Sequence, residues 1–184
     1  MRIKKLHFLL LILFVFACGK AEEVSDIQKE YFDIRGFFEK EAARLKKSKP
    51  LVEKRVAKNQ SGEQKILNNI DWEKELALFR ESDINKPAWK NSYLISREKH
   101  RILYRSKDPA LRTQTIEVIY SATGEIIQIK ISNYVKNLLY TSSEQLNYYP
   151  DSLYSIIKEQ KVTLLGSNSY GIVGKFSPLL RSNN

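Results

Sequence analysis

The order of apolar and polar positions divides the chain into three parts. An almost unbroken apolar run covers residues 6–16. Apolar residues then recur every three or four positions from Ile27 to Leu45, which is the spacing of one face of an amphipathic helix. From Asn91 onward apolar and polar residues alternate, which is typical of strands that bury one face of a sheet. The chain therefore predicts an apolar leader, then a helix, then β-structure.

A long first helix is predicted to begin at Ser25 and to end before Pro50. Ser25 is a favourable N-cap, and Asp26 complements the positive end of the helix dipole. The apolar stripe of this helix is expected to pack into the core, although such a stripe could also dock a partner helix. The stripe consists of Ile27, Tyr31, Ile34, Phe38, Ala42 and Leu45.

A shorter second helix is predicted after a strand at 51–58 and a turn at 59–62. Asp71 is placed to cap this helix, whose apolar face consists of Trp72, Leu76 and Phe79. Residues 82–89 follow as a loop, because Pro87 cannot continue a helix.

The alternating region predicts a succession of antiparallel strands. Its clearest hairpin joins residues 113–120 to residues 125–132 through a turn that contains Gly124. The dry face of this hairpin is expected to carry Ile116, Val118, Tyr120, Ile127, Ile129 and Ile131, and the wet face Thr115, Glu117, Gln128 and Lys130. The other predicted strands are 93–99, 101–107, 137–142, 145–149, 154–159, 162–165 and 170–176, with turns at 149–152 and 166–169.

These elements predict an α+β fold. The N-terminal helix and the second short helix are expected to pack on one face of a curved antiparallel β-meander, because the strands alternate between a dry and a wet face. The chain length suits one domain, which is assigned to residues 25–176, with a frayed C-terminus at 177–184.

The leader has the pattern of a bacterial lipoprotein signal. Basic residues precede the apolar run, and the run is too short for a membrane span but has the length of a signal peptide. Residues 15–19 resemble a lipobox around Cys18, the single cysteine of the chain. Removal of residues 1–17 would leave Cys18 as the lipid attachment site, whose acyl chains anchor the protein in a membrane. An ordinary secretory signal and a short membrane anchor are the alternatives.

Residues 18–24 would then form a short tether between the lipid and the folded body. An Asp at the second position after the lipidated cysteine resembles an inner-membrane retention signal. This chain has Lys20 at that position instead, which favours the outer membrane. Residues 20–23 also resemble the lysine-plus-acid signal of surface-exposed lipoproteins, although a charged tether can simply be solvated. The side that the body faces, periplasm or cell surface, stays open.

The charge and the chemical inventory restrict the function. Processing removes three basic residues and no acidic one, so the net charge falls from +10 to +7. This charge suits anionic lipid headgroups or acidic polysaccharide. After processing His100 is the single histidine, so no histidine-rich metal site and no Cys–His pair is expected. No cofactor and no nucleic-acid partner are predicted, and a pair of carboxylates is the catalytic arrangement that stays open.

Tyrosines are concentrated in the C-terminal strands. Tyrosine suits half-buried strand positions, so these residues could belong to the core. They could also form an aromatic surface that binds sugar or a protein partner, with Lys130 beside them. The candidate binding face consists of Tyr134, Tyr140, Tyr148, Tyr149, Tyr154, Tyr170 and Lys130.

Three segments, at residues 70–76, 82–89 and 136–140, resemble uncharacterised lipoproteins of Bacteroidetes. The resemblance implies an envelope location and a single domain, and it brings no activity and no catalytic residue. The order of helix and meander is also similar to outer-membrane carriers of the lipoprotein-localisation type, at the level of the fold. The chain is therefore predicted to be a non-enzymatic, lipid-anchored lipoprotein that binds an envelope protein, an acidic glycan or another ligand. A carrier of lipid or lipoprotein acyl chains and a carboxylate-dependent glycan hydrolase are the alternatives.

Overall fold

The computed structural model describes residues 29–59 and 61–177. This part of the chain is an α+β structure, an open antiparallel sheet of nine strands with a few short helices. The helical elements are α1 (Ile34–Ser48), α2 (Trp72–Glu75), α3 (Ala77–Glu81) and a 3₁₀ turn, Pro87–Trp89. The predicted signal peptide, Cys18, the tether at 18–24 and residues 178–184 lie outside the described residues.

The strands form one sheet in the order β2-β1-β9-β8-β7-β6-β5-β4-β3, and every neighbouring pair is antiparallel. Strands β3 to β9 follow one another as a meander. The β1–β2 hairpin is added beside β9, with Val52 opposite Phe176. The strands are β1 (Val52–Lys58), β2 (Ser61–Leu67), β3 (Tyr93–Glu98), β4 (Arg101–Ser106), β5 (Thr113–Tyr120), β6 (Ile126–Lys136), β7 (Tyr140–Tyr149), β8 (Leu153–Val162) and β9 (Gly166–Phe176).

The first helix begins later than the sequence predicts. Its N-cap is Asp33, whose side chain accepts a hydrogen bond from the backbone N–H of Gly36 at 2.9 Å, and residues 29–33 are not helical. The continuous helix predicted from Ser25 is therefore wrong over these residues. Tyr31 continues the apolar spacing in an extended segment, where its ring packs edge-on against Tyr93 with 5.4 Å between centroids. Tyr31 is therefore buried although it is not helical, which is why the apolar spacing in the sequence makes the helix look longer than it is.

The helices contact the sheet through aromatic rings. Phe38 of α1 lies 5.2 Å from the ring of Tyr148 and 4.7 Å from that of Phe79, centroid to centroid. Trp72 lies 5.9 Å from Tyr154. The predicted core positions of both helices are confirmed as buried: Ile34, Phe38, Ala42, Leu45, Trp72, Leu76 and Phe79.

The β5–β6 hairpin has the predicted pairing over most of its length. Val118 lies opposite Ile129, and β5 has the predicted bounds. The register shifts between Ile119 and Tyr120, so Tyr120 pairs with Ile126 and leaves Ile127 as the extra residue of a β-bulge. Ile127 is 48% exposed, and its assignment to the dry face is therefore wrong.

The later strands are longer than predicted. One strand, β7, joins the two predicted at 137–142 and 145–149, but it begins at Tyr140, so residues 137–139 are outside it. The turn between β8 and β9 lies at residues 163–165, so the strand predicted at 162–165 and the turn predicted at 166–169 are both wrong. Gly166, with φ +90°, is the residue after this turn and begins β9. The glycine therefore marks the end of the turn rather than its beginning.

Candidate functional site: a groove on the outer face of the sheet

The two faces of the sheet differ in their neighbours. We call the inner face the one whose side chains contact α1, α2 and α3, and the outer face the opposite one. Tyr148 and Tyr154 are direct cross-strand partners, and both contact helical residues, so they define the inner face. The strict register of β6 to β9 then assigns every second residue of these strands to each face.

The six tyrosines predicted to form a binding face do not share one face. The register places Tyr134 and Tyr149 on the outer face and Tyr140, Tyr148, Tyr154 and Tyr170 on the inner face. Tyr148 and Tyr154 have no exposed surface. The prediction of one exposed tyrosine face is therefore wrong. The alternation within each strand does not show how neighbouring strands are aligned, and that alignment decides which tyrosines share a face.

The two buried tyrosines are held by carboxylates of the helices. The hydroxyl of Tyr154 donates a hydrogen bond to Glu75 Oε1 at 2.7 Å, and the hydroxyl of Tyr148 donates one to Glu41 Oε2. Burial, together with the charge of Glu41, raises the pKa of Tyr148 well above its ordinary value. Burial and the charge of Glu75 raise the pKa of Tyr154 in the same way. Both tyrosines are structural.

The remaining tyrosines of the predicted set are partly exposed. Tyr170 is on the inner side of β9, and Lys58 Nζ lies 5.5 Å from its ring centroid. The hydroxyl of Tyr149 accepts a hydrogen bond from Gln128 on the outer face. Tyr134 is 37% exposed on the outer face, which makes it available to a ligand.

Lys130 belongs to a row of charges that crosses three strands. Its Nζ lies 3.2 Å from Glu117, which also pairs with Arg101. Burial would raise the pKa of Glu117, but the neighbouring Arg101 and Lys130 outweigh it and lower that pKa below its ordinary value. Lys130 is therefore engaged in a cross-strand ion pair, away from the concave part of the outer face.

A groove crosses the outer face from β6 to β1. It consists of two adjoining concavities of about 330 Å³ and 300 Å³, which share Asn59 and Ser169. We call this feature the outer-face groove. Small side chains on neighbouring strands form its floor, and Gly171 has nothing within 4 Å of the position that a Cβ would occupy. Other lining residues include Ala57, Ser143, Glu159, Lys161 and two tyrosines of the predicted binding face, Tyr134 and Tyr170.

The lining of the outer-face groove is rich in hydrogen-bonding groups. One cross-strand row on the outer face runs from Tyr134 through Ser143 and Glu159 to Ser169. Thr141 and Ser167 add hydroxyls beside this row. The charged groups are Glu159, Lys161 and Arg55, so cations exceed anions among the described lining residues. This set of groups suits a hydrophilic, anionic ligand that can lie against an aromatic ring.

Sequence reasoning misses most of the outer-face groove. Ala57 and Gly171 are cross-strand partners only because the first strand joins the last, and nothing local in the sequence announces that pairing. The only local sign of the groove is the run of small polar residues at 166–169. The sequence predicts a turn there, but in the structure these residues are part of β9 and line the groove.

Glu159 is the one carboxylate among the described lining residues of the groove. Over residues 29–59 and 61–177, no group of three or more His, Cys, Asp and Glu is placed to bind a metal ion. His100 lies in the β3–β4 turn, where its carbonyl accepts a hydrogen bond from Tyr120 N at 2.8 Å. None of the helices in the same residues is long and apolar enough to cross a membrane.

Comparisons of the chain with protein-family models, curated proteins and solved structures find no significant match. The resemblance to uncharacterised Bacteroidetes lipoproteins stays a prediction from the sequence.

Proposed function

We propose that this protein is a non-enzymatic envelope lipoprotein, anchored through lipid on Cys18, that binds an acidic glycan in the outer-face groove. The observation that carries the proposal is the groove itself. It consists of two adjoining concavities lined by hydroxyls, amides, Tyr134 and more cations than anions.

A glycan fits this lining for two reasons. Sugar hydroxyls need several donors and acceptors that are already in place. Thr141 and Ser143 on β7 supply them, as do Ser167 and Ser169 on β9, on either side of β8. Sugar rings also present apolar C–H faces, which pack against an exposed aromatic ring such as Tyr134. Acidic groups on the glycan would be attracted by Lys161 and Arg55.

The cations of the groove act together with the charge of the whole molecule. The net charge after removal of residues 1–17 is +7. A positive field of this kind raises the rate of encounter with an anionic polymer and is screened by salt. Binding should therefore be tighter at low ionic strength than at high.

The carrier alternative is less well supported. A curved sheet covered by helices on one face could hold acyl chains if the space between the layers were open. Phe38, Phe79 and Tyr148 occupy the centre of that space, and none of them has exposed surface. The inner face therefore favours a packed core over a lipid cavity.

The hydrolase alternative also lacks its chemistry. Glycoside hydrolysis needs two carboxylates about 5–10 Å apart across the bond that is cleaved. Among the described residues of the outer-face groove, Glu159 has no second carboxylate opposite it. A groove that holds a glycan without cleaving it agrees better with this lining.

The proposal is tested with cell envelope washed in detergent, which retains its polysaccharide and loses its lipid. A double variant, Tyr134→Ser with Lys161→Glu, should bind this material at least about tenfold more weakly than the wild type, since it loses a stacking ring and reverses a charge. Lys99→Glu, at an exposed turn position, makes the same charge change outside the groove and should have little effect. Equal binding by a folded double variant would contradict the proposal.

A further inference from the structure

Four leucines are exposed at one end of the sheet, in two neighbouring turns. Leu138 and Leu139 lie between β6 and β7, and Leu164 and Leu165 lie between β8 and β9. Their exposed fractions are 95%, 71%, 98% and 82%, respectively. We call these four residues the leucine turns. Single exposed apolar residues are ordinary, but a cluster of four on adjacent turns marks a surface that contacts something.

The leucine turns are joined to each other. Thr163 donates its backbone N–H to the carbonyl of Leu139 at 2.9 Å and its hydroxyl to the carbonyl of Leu138 at 3.2 Å. The side chain of Asn137 accepts hydrogen bonds from the backbone N–H groups of Leu139 and Tyr140, both at 2.9 Å. These bonds fix the backbones of the two turns, so the four side chains form one patch.

The backbone of Leu164 is in an unfavourable conformation. Its φ is +74°, in the left-handed region that favours glycine and is costly for a branched side chain. Leu164 is almost fully exposed, so packing within the chain does not compensate for this cost. A strained residue whose side chain projects into solvent indicates a role outside the folded body.

Two lysines lie beside the apolar patch on the outer face. Lys136 and Lys161 are both opposite Thr141 in the register, immediately behind the leucine turns on the outer face. Both lysines are exposed, and neither forms an ion pair with another described residue. Apolar side chains flanked by free lysines are typical of segments that insert shallowly into a bilayer with anionic headgroups.

The N-terminal side of the described chain lies at the same end of the sheet. Glu30 accepts a hydrogen bond from the backbone of Asn91 at 3.2 Å, just before β3 begins at Tyr93. The antiparallel register places the start of β3 at the same end as the end of β8. At about 4.8 Å per strand, β3 and β8 are roughly 24 Å apart.

The connection to Cys18 is long enough to bring both features to one membrane. Lys29 is the first described residue, and ten residues lie between it and Cys18, so the eleven Cα–Cα steps reach at most about 36–40 Å. A lipid on Cys18 and the leucine turns could therefore enter the same leaflet.

We propose that the leucine turns are a membrane-contact surface, which inserts into the headgroup region of an anionic bilayer and holds the sheet end-on to it. The proposal rests on the proposed envelope location and does not depend on the glycan. End-on contact fixes the orientation of a body that a lipid tether alone would leave free to rotate. Lys161 is the residue that this surface shares with the outer-face groove.

The test uses the full lipoprotein reconstituted in phosphatidylcholine vesicles, with and without phosphatidylglycerol. Leu165→Cys carries an environment-sensitive fluorophore, and Ala122→Cys, in the β5–β6 turn at the opposite end, is the matched control. With phosphatidylglycerol present, the label at 165 should shift its emission to the blue and be quenched by brominated lipid several-fold more strongly than the label at 122. A label at 165 that stays in water, or equal quenching at both positions, would overturn the proposal.

Two further readouts distinguish membrane contact by the leucine turns from attachment through the lipid alone. Flotation of the vesicles and the mass of the peptide that contains Cys18 report the lipid anchor, so an anchored protein whose label at 165 stays in water refutes the contact surface alone. Leu164→Gly, with the same label at 165, should raise the thermal unfolding temperature, because glycine accepts a positive φ, and should weaken the quenching several-fold. If quenching is unchanged in this more stable variant, the Leu164 side chain does not insert into the bilayer and Leu164 is only a turn residue.

Discussion

The ring of Tyr154 lies over Gly174, its direct cross-strand partner, so closely that a Cβ on Gly174 would be 2.2 Å from Tyr154 Cε1. The glycine makes room for a fully buried ring whose hydroxyl reaches Glu75 of α2. This pair therefore joins β8, β9 and the second helix. It also explains why a tyrosine that the sequence offers as a binding residue belongs to the core.

Gly174→Ala should destabilise the protein by about 1–3 kcal/mol, the usual cost of overpacking a core, because the buried Tyr154 ring cannot move away easily. Gly171→Ala is the control in the same strand, since its Cβ would meet nothing within 4 Å. That change should be neutral or stabilise by roughly 0.5–1 kcal/mol, because glycine weakens a strand. Urea unfolding of both variants measures the difference, and equal effects would refute the close contact.

Tyr148→Phe should reduce the free energy of unfolding by about 1.5–3 kcal/mol, because it removes a hydrogen bond to the Glu41 carboxylate and keeps the buried ring. Tyr134→Phe, on the outer face, should change the free energy of unfolding little.

The raised pKa of Tyr148 also predicts a pH effect. In the unfolded chain its hydroxyl ionises near the ordinary pKa of 10.0, whereas in the folded protein it stays protonated.

Stability should therefore fall as the pH rises above about 10, and this fall should be smaller in Tyr148→Phe. Thermal unfolding followed by circular dichroism at neutral and alkaline pH measures it. An alkaline loss of stability that is identical in the wild type and in Tyr148→Phe would contradict the burial of that hydroxyl.

A buried carboxylate connects the inner face to the loop after α3. Glu144 Oε2 accepts a hydrogen bond from Arg112 at 2.7 Å and from Asn133 at 3.1 Å, and its Oε1 lies 3.1 Å from Lys158 Nζ. Asn133 in turn donates to Ser82 Oγ at 2.8 Å. Burial would raise the pKa of Glu144, but the charge of Arg112 and the hydrogen bonds outweigh it, and the pKa is lowered below its ordinary 4.5.

Because the folded pKa of Glu144 is lowered, its contribution to stability is present above about pH 4.5 and is lost as the pH falls through the folded value. Glu144→Gln should cost about 1–3 kcal/mol at neutral pH, since it leaves two partly buried cations without their anion, and should flatten the acid side of the stability profile. Glu63→Gln, at a fully exposed carboxylate, is the control. An acid profile unchanged by Glu144→Gln would show that other carboxylates determine it.

The strand pattern shows where local sequence signals are sufficient. The bounds of β5 and the cap at Asp71 follow from alternation and from side-chain chemistry within a few residues. Ile127 shows where local signals fail, because a bulge shifts the register by one residue and leaves this side chain exposed to solvent instead of buried. The alternation of apolar and polar residues along one strand does not reveal such a bulge.

Long-range pairing is the second limit. The sequence pattern does not predict strand β2, because most of its residues are exposed and it pairs only with β1 at the edge of the sheet. β1 pairs with β9 across most of the chain length, with Val52 opposite Phe176. Trp72 of α2 also stacks 5.8 Å from Phe176, centroid to centroid. The outer-face groove depends on that pairing, so it could not be predicted from the sequence.

Cys18→Ala should abolish lipid attachment and release the body from the membrane fraction, or leave an unprocessed precursor. The folded part should keep its thermal stability, since the described core begins at Tyr31. Metabolic labelling with a fatty acid and membrane fractionation of the wild type and the variant measure this. If the variant loses residues 1–17 and still remains firmly in the membrane, lipid on Cys18 is not the anchor.

If the protein binds its ligand in the outer-face groove, a large side chain that fills the groove should block binding. Ser169→Trp places a large side chain where the two concavities meet, and Ser96→Trp places the same side chain at an exposed outer-face position of β3, far from the groove. The measurement is the affinity of both folded variants for detergent-washed envelope at low and high salt. Ser169→Trp should lose at least about tenfold in affinity and Ser96→Trp should keep the wild-type affinity, with binding that weakens as salt rises. Wild-type affinity in the filled variant would contradict binding in the groove.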